Sequence, residues 1–275
     1  MTKLSVITIC YNDKAGLEKT MASVTGQTFS DFEYIVIDGG STDDSVEVIR
    51  KYAALGKVAY WVSQKDNGIY DAQNKGWRRA TGDYCLFLNS GDFLANENVL
   101  AEIFAWAPTE DIVYGDLMVD NGKIAPYRLG QPAPFTFDDL IYSTVFHPTA
   151  FIRRSLLEEA GGYDESFRIV ADYDFFLRAL LVRKCTSKYV PVAVTVFNTS
   201  GVGSDPANQT LHNEERYRAQ LKYFSPDEIA AAERRVRKRK PRAVRLKEST
   251  SNIPVLGGLV DFALVMYNRI RKTGK

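Results

Sequence analysis

The first third of the chain alternates short apolar runs with amphipathic stretches, and that alternation narrows the possible folds more than any other feature. Ser5–Cys10 (SVITIC), Tyr34–Asp38 (YIVID), Val58–Ser63 (VAYWVS) and Tyr84–Asn89 (YCLFLN) are rich in β-branched and aromatic residues and read as strands. Lys14–Val24, Asp44–Ala54 and Tyr70–Ala80, lying between them, read as helices. A β-α-β-α order with strands this apolar predicts an α/β fold, with a mostly parallel sheet buried between helices on both faces. Gly82-Asp83 is expected to stop the third helix just before its strand.

From about Asp111 the rhythm changes. Ile112–Val119 and Tyr189–Phe197 read as further strands, Phe135–Leu140 and Ser155–Ala160 as short helices, and Tyr173–Val182 as a longer one. No linker separates the two halves, so they are expected to form one domain that closes with a helical stretch at Gln209–Phe224. With 275 residues, 45% of them apolar, the chain can bury a large core without disulfides. Cys10, Cys85 and Cys185 are widely spaced and form no C-x-x-C pair, which fits free thiols. The opening MTKLSVITICYND lacks a signal-like apolar stretch, and no run of about 18 apolar residues occurs, so a cytoplasmic chain is expected.

In open parallel sheets ligands bind beyond the C-terminal strand ends. Thr8, Tyr11 and Asn12 follow the first strand, Asp38 with Gly39-Gly40 ends the second, and Asn89-Ser90-Gly91-Asp92 ends the fourth. No G-x-G-x-x-G or G-x-x-x-x-G-K-[ST] loop is present, which disfavours a dinucleotide enzyme or an ATPase. Ser41 with Asp44 fits a capping box for the next helix. Asp38, as the final strand residue, is expected to face the rim and accept hydrogen bonds from a base or ribose. Asp92 is suited either to an Asx-turn or to a hard cation, Mg²⁺ or Mn²⁺, bound with phosphate oxygens. In Asp172-Tyr173-Asp174 helix capping accounts for one acid, most naturally as a first-turn acid, and leaves the other for general-base work. His147, one of two histidines, sits in a loop after an apolar segment, where a structural role and a place in an active site both remain open.

Together, SVITICYND, QTFSDFEYIVIDGGSTDDS, DNGIYDAQNKGWRRATGDY, FLNSGD, GGYDESF and ADYDFFLR resemble, in order and spacing, the family 2 inverting glycosyltransferases of GT-A fold that build bacterial surface polysaccharides. The resemblance spans about Leu4 to Phe224. It implies a GT-A nucleotide-diphospho-sugar transferase domain over residues 1–224 with a helical extension over 225–275. It implies a nucleotide-diphosphate sugar as donor, a glycan or polyprenyl-linked acceptor, and a divalent metal, Mn²⁺ or Mg²⁺. Thr8 and Tyr11 would line the base pocket, Asp38 would bind base or ribose, and Asp66, Asn74 and Lys75 would border the donor. Asp92 matches the last acid of the family's D-x-D metal motif and Asp172 the acceptor-deprotonating base, with His147 on the acceptor side. Two positions depart from the pattern: Ser90 replaces the first acid of D-x-D, and Ala171 replaces the glutamate before the base. Ser200–Ser204 (SGVGS) only loosely resembles the family's flexible loop.

Arg234–Lys247 (RRVRKRKPRAVRLK) carries nine basic residues and no acid, and precedes an apolar stretch too short to span a bilayer. Residues 234–275 therefore suit an anionic membrane surface, each nearby basic residue adding about 1 kcal/mol. A solvated basic helix is the plainer reading. The block lacks the interleaved aromatics of a nucleic-acid module, so no nucleic-acid partner is expected. Ser90 and Ala171 leave room for a catalytically inactive nucleotide-sugar-binding or assembly subunit. A nucleotidyltransferase is disfavoured because YNDKAG is a poor version of its glycine-rich basic loop.

Overall fold

The computed structural model describes residues 2–120, 122, 125–199, 201 and 205–239. The described residues fall into two units, one up to Pro134 together with Val145–Tyr223, the other Phe135–Thr144 with residues 224–239. In the first unit β1 (Leu4–Cys10), β2 (Phe32–Asp38), β3 (Tyr60–Ser63) and β4 (Tyr84–Phe87) pair in parallel in the order β3-β2-β1-β4. All seven residues of β1 are buried, as a strand covered on both faces requires. Helices α1 (Lys14–Thr25), α2 (Ser45–Ala54) and α4 (Val99–Phe104) contribute Leu17, Met21, Val24, Val48, Ile49, Val99, Leu100 and Ile103 to the main core. Helix α3 (Ile69–Trp77) buries Tyr70, Gln73, Asn74 and Trp77, which recur at the spacing of one helix face.

Beyond β4 the sheet turns mixed. β8 (Ala150–Arg153) runs antiparallel to both β4 and β6 (Ile112–Asp120). β9 (Ser187–Asn198) runs parallel to β6, and the short β5 (Phe93–Leu94) and β7 (Tyr127–Leu129) flank them. Strands β5, β7 and β8 carry too few residues to show a period in the sequence. The helix read at Ser155–Ala160 is α6 (Arg154–Ala160), and the long one is α7 (Ala171–Phe176) continued as a π-helix over Leu177–Val182. Helix α8 (Gln209–Leu221) follows.

Two local expectations are corrected. Helix α3 stops at Trp77, so Gly82 does not cap it. A Cβ at Gly82 would lie 2.6 Å from the carbonyl carbon of Leu4, so the glycine admits the β1 backbone. Ser41 and Asp44 do not form a capping box. Asp44 sits before α2 at φ 66° with no side-chain cap, while Asp43 accepts from the Ser45 N–H (3.2 Å) and hydroxyl (2.6 Å).

The second unit pairs α5 (Phe137–Tyr142) with α9 (Pro226–Arg239). Helix α5, read in the sequence as part of the domain over residues 1–224, clusters with α9. The Phe137 and Phe224 rings meet edge-on at 5.0 Å over buried Ile141, Ile229 and Ala232. Thr136 and Asp139 form a capping box on α5, and Ser225 with Glu228 does the same for α9. Arg235 and Arg239 both bind Asp138, at 2.7 and 3.0 Å. Among the described residues no helix is long and apolar enough to cross a membrane. The segment 240–275 lies outside them, as does the Ser200–Ser204 loop apart from Gly201.

Candidate active site

The loops after β1 and β2 are tied into one another. The Asn12 N–H donates to the Ser41 hydroxyl, and the Asn12 amide oxygen accepts from the Thr42 N–H, both at 2.8 Å. Asn12 takes φ 50° to make both bonds. Beneath them lies Asp38, fully buried. Its Oδ2 accepts from the N–H groups of Gly40 and Ser41 and from the Ser63 hydroxyl, and Oδ1 accepts from the Ser41 hydroxyl. Asp38 therefore points into its own loop rather than toward the rim. Thr8 is likewise inside, its hydroxyl 2.9 Å from the Tyr34 phenol that donates to it. Asn74 is also fully buried, with Nδ2 donating to the Tyr163 carbonyl and Glu165, and Oδ1 accepting from Trp77 Nε1 and the Tyr163 N–H. Three of these bonds fasten α3 to the Tyr163 loop and the fourth stays within α3.

What the rim presents instead is Tyr11, 65% exposed, and Asp66. A Cβ at Gly39 would strike the Asp66 carboxylate and come within 3.3 Å of the Tyr11 ring, so the glycine lets both lie against the β2 loop. Lys75 pairs with Asp71 at 3.0 Å, one turn back on α3. A groove of about 680 Å³, lined by Ser41, Thr42, Arg50, Trp61 and Ser63 among others, adjoins the Asp38 loop, and none of Asp92, His147 and Asp172 lines it.

Ser90 and Asp92 lie on the turn after β4. The Ser90 hydroxyl donates to Asp13 Oδ2 at 2.5 Å, while Asp13 Oδ1 caps α1 through the Gly16 N–H. An acid from the β1–α1 loop thus stands beside the serine that occupies the first D-x-D position. Asp92 is 4% exposed and accepts from the Asn198 N–H at 3.0 Å. Burial pushes its pKa up to about 7, against the pull of that bond and of His147. Among the described residues no group of three acids, histidines or cysteines would enclose a metal. A protein-only cage does not fit. A cation arriving with a diphosphate needs only one or two carboxylates, and buried Asp92 is such a donor.

His147 opens the turn before β8, and the β4–β8 pairing brings it beside Asn89. Its Nε2 is 3.3 Å from Asn89 Nδ2, whose Oδ1 accepts from Gln73 Nε2 at 3.1 Å. Its Nδ1 is 3.5 Å from Asp172 Oδ2, with both side chains about one-fifth exposed. Tyr70 donates to Asp172 Oδ1, 2.8 Å away. Burial works against charge on both partners. Even so, the contact with Asp172, helped by Asp92, raises the His147 pKa, and His147 with Tyr70 lowers that of Asp172. Asp174, the other acid of the pair, is buried against Lys222 (2.7 Å) and the Tyr223 hydroxyl (3.1 Å). Both acids lie in the first turn of α7, where a helix start favours negative charge, while Val170 occupies the N-cap position without a side-chain bond.

Asp13, Gln73 and Tyr70 stand beside these residues and were not singled out from the sequence, whereas Asn89 was read only as part of the turn after the fourth strand. Gln73 carried a readable signal, a polar side chain on the stripe of α3 that otherwise buries Tyr70 and Trp77.

The model of the family "Glycosyl transferase family 2" matches residues 5–167. An uncharacterised glycosyltransferase of Mycobacterium tuberculosis is 37% identical over 208 residues, 73% of this chain and 77% of the relative. A PGL/p-HBAD biosynthesis glycosyltransferase of Mycobacterium bovis is 33% identical over 202 residues, 72% of this chain and 77% of the relative. Two solved structures share the fold. S. aureus TarS in complex with UDP has a TM-score of 0.63 at 22% identity, covering 84% of this chain and 69% of that one. The mannosyltransferase PcManGT of Pyrobaculum calidifontis, in complex with GDP-Man and Mn²⁺, has a TM-score of 0.64 at 19% identity, covering 98% and 82%. With a family model matching more than half of its length and relatives this similar over most of theirs, the chain belongs to glycosyl transferase family 2.

Proposed function

We propose that the chain moves a sugar from a nucleoside diphosphate to a hydroxyl of a glycan or polyprenyl-linked acceptor, by one in-line displacement that inverts the anomeric carbon. As a family 2 glycosyltransferase it acts on nucleotide-sugar donors in the assembly of cell-surface glycoconjugates. The observation that carries the mechanistic reading is Asp172, a carboxylate held ionised beside His147 yet still partly open, with His147 in electrostatic reach of Asp92 as well.

Asp172 Oδ2 is the base atom in this reading. Its nearest partner, His147 Nδ1, stands at 3.5 Å, too far for a strong hydrogen bond, so an acceptor hydroxyl can take its place. His147 is the weaker candidate for base because its other nitrogen faces Asn89. Its role is to keep Asp172 charged until the acceptor arrives. The acceptor oxygen then attacks the anomeric carbon as its proton passes to Asp172, and the bond to the diphosphate breaks. Tyr11 offers an exposed ring for the base to stack on, and Asp66 a carboxylate for its N–H or for a ribose hydroxyl. Asp38, Thr8 and Asn74 act by holding these loops in place. Asp92, with Ser90 and Asp13 behind it, would hold a Mg²⁺ or Mn²⁺ ion shared with the donor. When bound, such an ion supplies Lewis-acid stabilisation of the leaving diphosphate.

The test is to incubate the chain with UDP-, GDP- and dTDP-sugars and a polyprenyl phosphate or oligosaccharide acceptor. Nucleoside diphosphate release is followed, and the anomeric configuration of the product is read by NMR. Inversion that is lost in Asp172→Asn is expected; retention of configuration would overturn the mechanism. The basic segment 234–275 is proposed to hold the enzyme at the inner, anionic membrane surface, near lipid-linked acceptors. Vesicle co-sedimentation of the chain with and without these residues tests that, and equal pelleting would reject it.

A further inference from the structure

Tyr70 has one hydroxyl proton and two acceptors. It lies 2.6 Å from the Ile169 carbonyl and 2.8 Å from Asp172 Oδ1, and its side chain is buried. A fixed structural tyrosine needs one of these partners. The second makes its proton movable between the loop backbone and the carboxylate. The loop itself is held from the other side by Glu215 on α8, whose two oxygens accept from the N–H groups of Arg168 (2.8 Å) and Ile169 (2.9 Å). The Ile169 carbonyl therefore stays in place when the tyrosine proton leaves it.

We infer that Tyr70 is a positioning residue whose proton follows the charge of Asp172 between Oδ1 and the Ile169 carbonyl. While Asp172 is anionic, Oδ1 is the stronger acceptor and takes the bond, since a hydrogen bond to a charged group outweighs one to a neutral carbonyl. That bond fixes the carboxylate plane and leaves Oδ2 toward the acceptor. Once Oδ2 has taken the acceptor proton, Oδ1 becomes a weak, neutral acceptor and the tyrosine proton passes to Ile169. Besides Tyr70, Asp172 interacts with His147 at Oδ2, with the Tyr173 backbone N–H and with the Tyr163 phenol, and Asp92 acts on His147 in turn.

This inference rests on Asp172 being the base, and the test separates the two. The full chain is labelled at aspartate Cγ, and the Asp172 resonance is identified as the one missing from Asp172→Asn. Its titration midpoint is followed by NMR in wild type, Tyr70→Phe and Glu215→Gln. Nucleoside diphosphate release from UDP-glucose, UDP-GlcNAc and GDP-mannose is measured over the same pH range. Tyr70→Phe is expected to raise the midpoint by about one pH unit, about tenfold in the dissociation constant, and to carry the acidic limb of kcat with it at unchanged donor KM. Glu215→Gln is expected to slow turnover by loosening the loop without moving the midpoint. Incorporating 3-fluorotyrosine at position 70 keeps the packing and strengthens the donor, so the midpoint should fall. An unmoved midpoint in both Tyr70 variants, or an equal shift in Glu215→Gln, would overturn the role of Tyr70. Wild-type release by Asp172→Asn would instead overturn the base, and with it this inference.

Discussion

The two halves of the rim solve opposite problems. On the β1–β2 side, Asn12, Asp38, Ser41 and Ser63 satisfy one another, and Asp38 is fully buried with both oxygens accepting from its own loop. On the β4–β8 side, Asp92, His147 and Asp172 are brought together with few bonds, and burial is set against charge at each of them. The first is a closed frame that fixes where Tyr11 and Asp66 stand. In the proposed mechanism the second keeps polar capacity in reserve for groups that arrive with substrate. Buried polar groups matter on both sides, but in one they hold shape and in the other they are available for reaction.

If that division is right, substitutions on the two sides should fail differently. The largest effect is expected at Asp172→Asn, where turnover falls by about 10²–10⁴-fold while donor binding, measured by calorimetry, stays near wild type. A parallel loss of donor affinity would move Asp172 into the frame. Next comes Asp38→Ala, which strands two backbone N–H groups and two hydroxyls, and should cost about 2–4 kcal/mol of stability in urea unfolding. Loss of turnover without loss of stability would move Asp38 into the chemistry instead. Asp92→Ala is expected to lower Mn²⁺-dependent donor affinity about tenfold or more, yet to stabilise or leave unchanged the metal-free fold near neutral pH, because a buried acid that is costly to ionise is removed.

The smallest effect lies away from the rim. Asp164 is partly desolvated, but hydrogen bonds from Lys222 and Ser166 outweigh that cost and lower its pKa to about 2. A carboxylate with a depressed folded-state pKa contributes stability above its unfolded value of about 3.9, and loses it as pH falls through the folded value. Asp164→Asn should therefore melt about 1–2 °C below wild type above about pH 4.5, with the difference closing toward pH 2. A difference constant across that range would mean that the ion pair with Lys222 contributes nothing.

The parallel half of the sheet was legible because β1 and β2 are unbroken apolar runs between helices with clear periods. β8, of four residues, and β5, of two, were not, because their pairing is set by distant strands. The two capping boxes on α5 and α9 bring an S/T-x-x-D/E pattern to the surface of the sequence, but not the fact that these helices belong together. Within the site, Asp92, His147 and Asp172 stood out as polar residues at loop and helix starts. Thr8 and Asp38 are buried rather than set on the rim, because a strand buried on both faces gives no sign of which polar side chain turns outward. Asp13 was hidden behind its ordinary duty as the cap of α1, and Tyr70 behind an apolar stripe. Their second partners, Ser90 and Asp172, are 77 and 102 residues away.

The most direct test of the central claim is the thermal unfolding of wild type and Asp92→Ala with UDP and GDP, each with and without Mn²⁺. At about 100 times the dissociation constant a bound nucleotide adds about 2.7 kcal/mol, roughly 5–10 °C for a domain of this size. The account predicts such a shift for wild type with one of the two nucleotides, dependent on Mn²⁺ and largely absent in Asp92→Ala. An equal shift in both proteins, or none in wild type with either nucleotide, would contradict a donor site organised around Asp92.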